Sequence, residues 1–87
     1  QVTWELFRLA GDGYELRNTG TAAATAINIT ANVQLAWPAA PDLEIPAGSS
    51  VKFICAPSLA DPSPVITVTY AAAGYSERRR WQRPLPQ

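Results

Sequence analysis

Cys55 is the strongest nucleophile in this 87-residue sequence, yet the partner groups of nucleophilic catalysis are missing. A catalytic thiol is activated by a neighbouring base, and histidine, the commonest base, does not occur in the chain. Cys55 alternates with Val51 and Phe53 on the apolar side of a β-rich segment. We therefore interpret it as a small buried hydrophobic residue and predict that the protein is not an enzyme.

The carboxylate residues are scattered singly along the chain, at Glu5, Asp12, Glu15, Asp42, Glu44, Asp61 and Glu77. No three of them form the closely spaced cluster of a calcium loop. Asp42 and Glu44 would hold a divalent ion only if their loop met Asp12 or Asp61, and solvated loops are the simpler interpretation. Glycosidase chemistry with paired carboxylates needs a cleft that a domain this small rarely forms. Since no glycine-rich phosphate loop is present either, we predict neither a bound metal nor a cofactor.

The most unusual feature is a cluster of arginines around Trp81, at Arg78, Arg79, Arg80 and Arg83. Together with Tyr75 they are our candidate binding residues, because a basic and aromatic patch suits a phosphate, an acidic polymer or an acidic partner protein. The competing interpretation is structural. Alternation places Trp81 on one face, in the core, and Arg78 and Arg80 on the other, where they would solubilise and protect an edge strand.

Three aromatic residues, Trp4, Trp37 and Tyr75, would form a platform for polysaccharide if their rings lay in one exposed row. Trp4 shares a strand with Leu6, and Trp37 continues the inward register of Leu35. We therefore expect both tryptophans in the core or at the end of a sheet. Tyr75 falls in a turn and is expected to be exposed.

Charge and hydropathy exclude several classes of partner. Seven Lys and Arg residues balance seven Asp and Glu residues, so no net field gathers nucleic acid, and one short strand neutralises few phosphates. No apolar run of about 18 residues occurs, so no membrane span is predicted. The sequence starts at Gln1 and has no methionine, from which we expect a processed product, a fragment or the ordered part of a longer protein.

Period-two alternation, frequent proline and glycine, and the lack of helical periodicity predict an all-β fold. The expected strands cover residues 2–9, 14–18, 27–35, 51–55, 65–70 and 76–83, with a proline-rich crossing that leads into 42–45. Strands at roughly ten-residue spacing are typical of an immunoglobulin-like two-sheet sandwich of about seven antiparallel strands, in which 65–70 pairs with 76–83. We place this domain at residues 1–83, with an ordered loop at 57–64 and an extended C-terminal tail at 84–87.

Three short motifs carry a resemblance to a known family. They are Tyr14-Glu15-Leu16-Arg17-Asn18-Thr19-Gly20 with the alternating strand after it, Ile45-Pro46-Ala47-Gly48-Ser49-Ser50-Val51, and Val65-Ile66-Thr67-Val68-Thr69-Tyr70 with its returning strand. In its Asn-x-Gly and Pro-x-Gly turns between strands, the chain resembles bacterial immunoglobulin-like domains of the CARDB or NEW3 kind. Cys55 and the run from Arg78 to Trp81 depart from the family pattern.

This resemblance implies an accessory module, since such domains occur in surface proteins, secreted enzymes and phage virion proteins. We expect a non-catalytic structural or interaction module on a larger assembly, foremost a phage virion, as a capsid decoration or tail domain with a protein partner. The alternative is an extracellular or cell-surface accessory domain, in adhesion or attached to a secreted enzyme, that binds polysaccharide or protein. Fold likeness by itself assigns no activity.

Overall fold

Alternating apolar and polar side chains build seven strands, and the computed structural model contains no helix in the residues it describes, which are 1–40, 42–56 and 64–86. The strands are β1 (Trp4–Arg8), β2 (Gly13–Asn18), β3 (Ala24–Ala31), β4 (Gln34–Ala36), β5 (Ser50–Ala56), β6 (Val65–Ala72) and β7 (Arg79–Pro84). All pairings between them are antiparallel. The all-β prediction is confirmed, whereas most of the predicted loop 57–64 lies outside the described residues.

The seven strands form two sheets, with the orders β1-β2-β5-β4 and β3-β6-β7. Lettered A to G along the chain, these are the sheets ABED and CFG of constant-type immunoglobulin domains. The predicted immunoglobulin-like sandwich is therefore confirmed at the level of strand order. The disulfide that joins the two sheets in antibody domains has no counterpart, because Cys55 is the sole cysteine. Packing and hydrogen bonds must hold the sheets together.

The prediction of one long strand over residues 27–35 is wrong, because the chain changes sheets within it. β3 belongs to the three-stranded sheet and β4 to the four-stranded sheet, and Asn32 lies between them. Asn32 Oδ1 accepts a hydrogen bond from the backbone N–H of Val65 at 2.7 Å. Side chains on the inner face of either sheet point into the same core, so the alternation of the sequence continues through the crossing and conceals it.

The core lies between the two sheets and draws on nearly every strand. Its buried members are Val2, Trp4, Tyr14, Leu16, Ala24, Ile27, Ile29, Ile45, Val51, Phe53, Cys55, Ile66, Val68, Tyr70 and Leu85. Trp4 meets Tyr70 edge to face with ring centroids 5.3 Å apart, and Tyr14 stacks on Phe53 at 5.5 Å. The burial of Trp4 and of Cys55 confirms both predictions.

A polar corner ties the second strand to the turn before β5. The Asn18 side chain is fully buried and donates from Nδ2 to the carbonyl oxygens of Ala22 (2.8 Å) and Ile45 (3.0 Å). Its Oδ1 accepts the backbone N–H of Gly20 at 3.0 Å. The backbone N–H of Gly48, at φ +82° in the turn, donates to the Asn18 carbonyl at 2.7 Å. The Asn-x-Gly and Pro-x-Gly turns therefore form one hydrogen-bonded unit.

The C-terminal end of the chain is packed beyond the sequence-based boundary at residue 83. β7 runs through Pro84, and Leu85 is buried in the core. The backbone N–H of Leu85 also donates to the Pro64 carbonyl at 3.0 Å, which continues the β6–β7 ladder by one pair. Pro84 and Leu85, which the sequence assigned to the tail, are thus part of the sandwich.

Candidate interaction surface

The predicted binding residues lie on or beside β7, which forms one edge of the three-stranded sheet. β7 pairs with β6 in the register that sets Trp81 opposite Val68 and Arg83 opposite Ile66. This confirms the predicted pairing of the last two strands. One side of β7 is covered by β6, and no strand of the described chain covers the other.

The arginines do not form a single patch, because alternation divides them between the two faces of the sheet. Arg78 and Arg80 lie on the outer face, where the Arg78 Nη2 donates to Thr69 Oγ1 at 2.8 Å. Arg79 and Arg83 share the inner face with Trp81. An object lying along the edge of β7 would meet positive charge on both faces.

Trp81 is only half-buried, so the expectation that it would fill the core is met in part. Its ring packs against the margin of the core, and the guanidinium of Arg83 stacks over it at 5.1 Å from the ring centroid. This cation–π contact covers the ring while the charge stays near solvent. The pair therefore presents a flat surface that is both apolar and positive.

Arg79 and Tyr75 meet at the other end of the same strand. Both line a groove of about 350 Å³ with Gln1 and Ala22, and the Tyr75 side chain is 74% exposed, as predicted. Arg79 Nε lies 3.8 Å from a Glu77 carboxylate oxygen, and both side chains are exposed. An exposed pair at this distance binds weakly, so Arg79 can change partners at little cost.

A second groove, which we call the seam groove, runs between the edge strands of the two sheets. It is lined from β1 by Trp4 and Leu6 and from β7 by Trp81 and Arg83, with a volume of about 260 Å³. The indole N–H of Trp4 is buried and has no hydrogen-bond partner among the described residues. No pattern in the sequence indicates this groove.

The backbone of β7 exposes a row of groups that no neighbouring strand of the described chain pairs, and the ladder geometry shows which ones. Antiparallel pairing alternates residues that bond their partner with residues that point away from it. The bond from Leu85 to Pro64 fixes the phase, so the odd-numbered residues of β7 bond to β6. The N–H and C=O groups of Arg80 and Gln82 then face outward, with the C=O of Pro84. We call this row the open edge.

The exposed row of aromatic rings that a polysaccharide platform would need does not form. Trp4 is buried, and Trp37 and Tyr75 line different grooves. Trp37 joins Pro38 and Ile54 in an apolar groove of about 600 Å³ at the end of the four-stranded sheet. Ile54 is 58% exposed, and an isoleucine on the polar side of β5 is the feature of the sequence that indicates this groove.

The remaining chemical candidates have no site geometry. Cys55 is fully buried, and its burial, helped by the negative charge of Asp12, raises the pKa of the thiol above 9.0. Such a thiol stays protonated and unreactive near neutral pH. No group of three or more metal-ligating side chains is found in the described residues, of which Asp61 is not one. The described part of the chain also has no helix suited to crossing a membrane.

Comparison with known proteins adds no family to this geometry. The chain matches no family model, and no curated protein matches it either. Its immunoglobulin-like fold therefore stands on strand order, and the interaction surface stands on the residues of β7 and the seam groove.

Proposed function

We propose that the chain is a non-catalytic structural and interaction module displayed on a phage virion, as a capsid decoration or tail domain of the CARDB or NEW3 kind. Its partner is a protein subunit of that assembly, and nucleic acid and membrane are not partners. The observation that carries this proposal is the edge strand β7, which places Arg79, Arg80 and Arg83 along a backbone edge that no second strand of the described chain pairs.

Charge distribution supports a protein partner over a polyanion. The chain carries no net charge, and its basic residues outside the arginine cluster, Arg8, Arg17 and Lys52, lie on the other sheet. Arg17 is already engaged with Glu15 at 2.7 Å and with the ring of Phe7. A short local patch suits a matched protein surface, whereas nucleic acid affinity grows with the number of phosphates that are neutralised.

A cell-surface or secreted-enzyme accessory domain that binds polysaccharide is the second candidate. The exposed ring of Tyr75 beside a groove favours it, because a stacking aromatic is a common sugar contact. The burial of Trp4 counts against a broad flat platform. This candidate places the domain outside the cell and gives Tyr75 the main role in binding.

Cosedimentation of the purified domain tests both candidates. Wild-type protein is mixed with intact particles of the phage proposed to display it and, separately, with host cell walls. Two variants accompany it: Arg78, Arg79 and Arg80 changed to Ser, and, as the control with the same loss of charge, Arg8, Arg17 and Lys52 changed to Ser. We expect binding to particles that only the first variant loses.

The other outcomes each lead to a different conclusion about the function. Binding to cell walls that Tyr75→Ala abolishes would support the polysaccharide module in place of the virion role. Equal loss in both triple variants would mean that net charge, and not the β7 surface, governs binding. Binding to neither material would overturn an adhesive function on either assembly.

A further inference from the structure

We infer that the open edge of β7 binds its partner by strand addition, and that the partner segment is an extended strand in which acidic residues alternate with apolar ones. This inference rests on the proposed function and specifies the partner of the same surface. In such binding, backbone hydrogen bonds supply affinity and the alternate side chains supply specificity.

β7 is the most suitable of the four sheet edges for an added strand. β4 has three residues and β1 has five, against six in β7. The free side of β3 is partly occupied, because Ala24 forms a two-way backbone bridge with Ile45 at 3.0 and 2.9 Å. The three-stranded sheet also has one strand fewer than the sheet it faces.

Pro84, at the end of β7, is compatible with a strand that has no neighbour on its outer side. Proline lacks an N–H and is tolerated in a strand only where that group would face away from the ladder. Like Arg80 and Gln82, Pro84 directs its backbone nitrogen away from β6. Its missing N–H therefore removes no hydrogen bond of the β6–β7 ladder. The edge therefore keeps the N–H groups of Arg80 and Gln82 and the Arg80 carbonyl for an added strand. The Gln82 carbonyl accepts a hydrogen bond from Arg83 Nη1 at 2.9 Å, an exposed contact that an added strand would replace.

The side chains beside this edge define the two faces of the added strand. On the outer face, Arg78 and Arg80 would lie next to every second residue of the incoming strand, and carboxylates there complete the charge. On the inner face, the added strand would lie over the seam groove with its half-buried Leu6 and Trp81. Glu5 also lines that groove and disfavours acidic residues on this side.

A second copy of this chain is a poorer occupant than an acidic strand. Two β7 strands paired with each other would bring arginines together across the new ladder, and like charges placed opposite one another are destabilising. β1 of another copy carries Glu5 and Arg8, and therefore offers no excess of negative charge.

The test uses a fluorescein-labelled octapeptide of alternating Glu and Val, titrated into the domain and followed by fluorescence anisotropy. Two further peptides of the same sequence carry N-methyl groups, one on the Glu amides and one on the Val amides. In antiparallel addition the backbone N–H groups of the Glu residues face β7. Methylation of these groups removes one or two hydrogen bonds and should therefore weaken binding at least about tenfold. The Val-methylated peptide should bind like the parent.

Two variants at Gln82 test the same backbone hydrogen bonding by changing the domain in place of the peptide. Gln82→Pro removes an outward N–H without breaking the β6 ladder, whereas Gln82→Ala keeps that N–H and loses the same contact to Thr67. We expect about tenfold weaker peptide binding for Gln82→Pro and near wild-type binding for Gln82→Ala. Should Gln82→Pro fail to fold, as judged by circular dichroism, the methylated peptides decide the question with wild-type protein alone.

The outcomes separate this inference from the proposed function. No binding of the parent peptide, or equal binding of all three peptides, would overturn strand addition. Loss of binding with only one of the methylated peptides supports strand addition, and loss with the Val-methylated peptide would make the pairing parallel.

Wild-type self-association that Gln82→Pro abolishes would assign the edge to a second copy and overturn the acidic partner. Particle binding that Gln82→Pro leaves intact would retain the proposed function and reject this inference, whereas peptide binding without particle binding would reject the proposed function.

Discussion

Asn18 donates a hydrogen bond to the carbonyl oxygen of Ile45 at 3.0 Å, across 27 residues of sequence and inside the core. The same amide group donates to Ala22, and its oxygen accepts from Gly20. The Gly20 N–H and the Ala22 carbonyl have no ladder partner, whereas the Ile45 carbonyl also accepts the backbone N–H of Ala24 at 3.0 Å. One buried side chain therefore completes the hydrogen bonding of the connection between β2 and β3 and fixes its place against Ile45.

Replacing Asn18 with Ala should destabilise the domain by about 3 kcal/mol, because the Gly20 N–H and the Ala22 carbonyl lose their partner and the Ile45 carbonyl keeps only the Ala24 N–H. Urea unfolding followed by tryptophan fluorescence measures this free energy. Asn28→Ala is the matched control, since Asn28 is exposed on β3 and its loss should cost less than about 0.5 kcal/mol. Equal midpoints for the two variants would show that the corner contributes little.

Gly20→Ala should detach the N-terminal segment, because a Cβ at this position would lie 2.7 Å from the backbone nitrogen of Thr3 and still closer to the Gln1 carbonyl. That carbonyl accepts bonds from Thr21 (2.8 Å) and Ala22 (3.2 Å). Hydrogen exchange measured by NMR should show those two amides losing protection. Thr19→Ala removes only an exposed hydroxyl bond to Thr3 and should leave both amides protected. Retained protection in Gly20→Ala would contradict this packing.

Ala26→Gly should stabilise the domain by about 0.5 kcal/mol, an unusual direction for a substitution in a strand. Ala26 has φ +51° at the bulge where the β3–β6 register shifts, and a left-handed conformation costs an L-residue about 1–2 kcal/mol. Glycine avoids that cost, although its greater freedom when unfolded offsets part of the gain. Ala31→Gly, in regular strand geometry, should instead destabilise by about 1 kcal/mol. Thermal unfolding of both variants gives the two signs, and a loss in each would refute the strain.

Trp4 and Trp81 should differ in their contribution to stability, since one is buried and the other half-buried. Trp4→Ala removes a ring packed edge to face on Tyr70 and should cost about 4 kcal/mol. Trp81→Ala removes a ring at the margin of the core and should cost about 1–2 kcal/mol. Urea midpoints measured by far-ultraviolet circular dichroism compare them without relying on the deleted fluorophores. A larger cost for Trp81 would restore the sequence-based expectation that it fills the core.

The alternation of apolar and polar residues decides which features of the fold can be predicted from the sequence. Tyr14 and Leu16, or Val51 and Phe53, reveal a strand and its buried face, because each inward residue meets the core. Alternation does not report which sheet a strand joins, so the crossing at Asn32 was hidden. The positive φ of Ala26 was hidden as well, since alanine gives no local signal for it.

The candidate site was predictable in its residues but not in its arrangement. The arginine cluster and Trp81 are visible in the sequence, and so is their alternation between faces. The seam groove depends on β1 and β7 lying at the same margin of the sandwich, a relationship of residues more than 70 positions apart, such as Trp4 and Trp81. The hydrogen bond from the Leu85 N–H to the Pro64 carbonyl determines which backbone groups of β7 face outward, and it is visible only in the structure.

Cys55 gives a prediction for the dependence of stability on pH. Burial, and then the charge of Asp12, raises the pKa of the folded thiol above the ordinary 9.0. Below the unfolded pKa both states keep the proton, and the stabilising contribution is fully present. As the pH rises through the unfolded pKa toward the folded one, only the unfolded state releases its proton, so this contribution is lost.

The free energy of unfolding should therefore fall more steeply above about pH 9 in the wild type than in Cys55→Ala, which has no thiol to titrate. Urea titrations at intervals between pH 7 and 10.5 measure both slopes, and their difference removes every contribution that the two proteins share. Native wild-type protein should also react with a thiol reagent at pH 8 only at the rate of unfolding, because the thiolate is neither formed nor accessible. Parallel slopes, or rapid labelling of the folded protein, would show that Cys55 is less enclosed than its packing beside Phe53 and Val51 indicates.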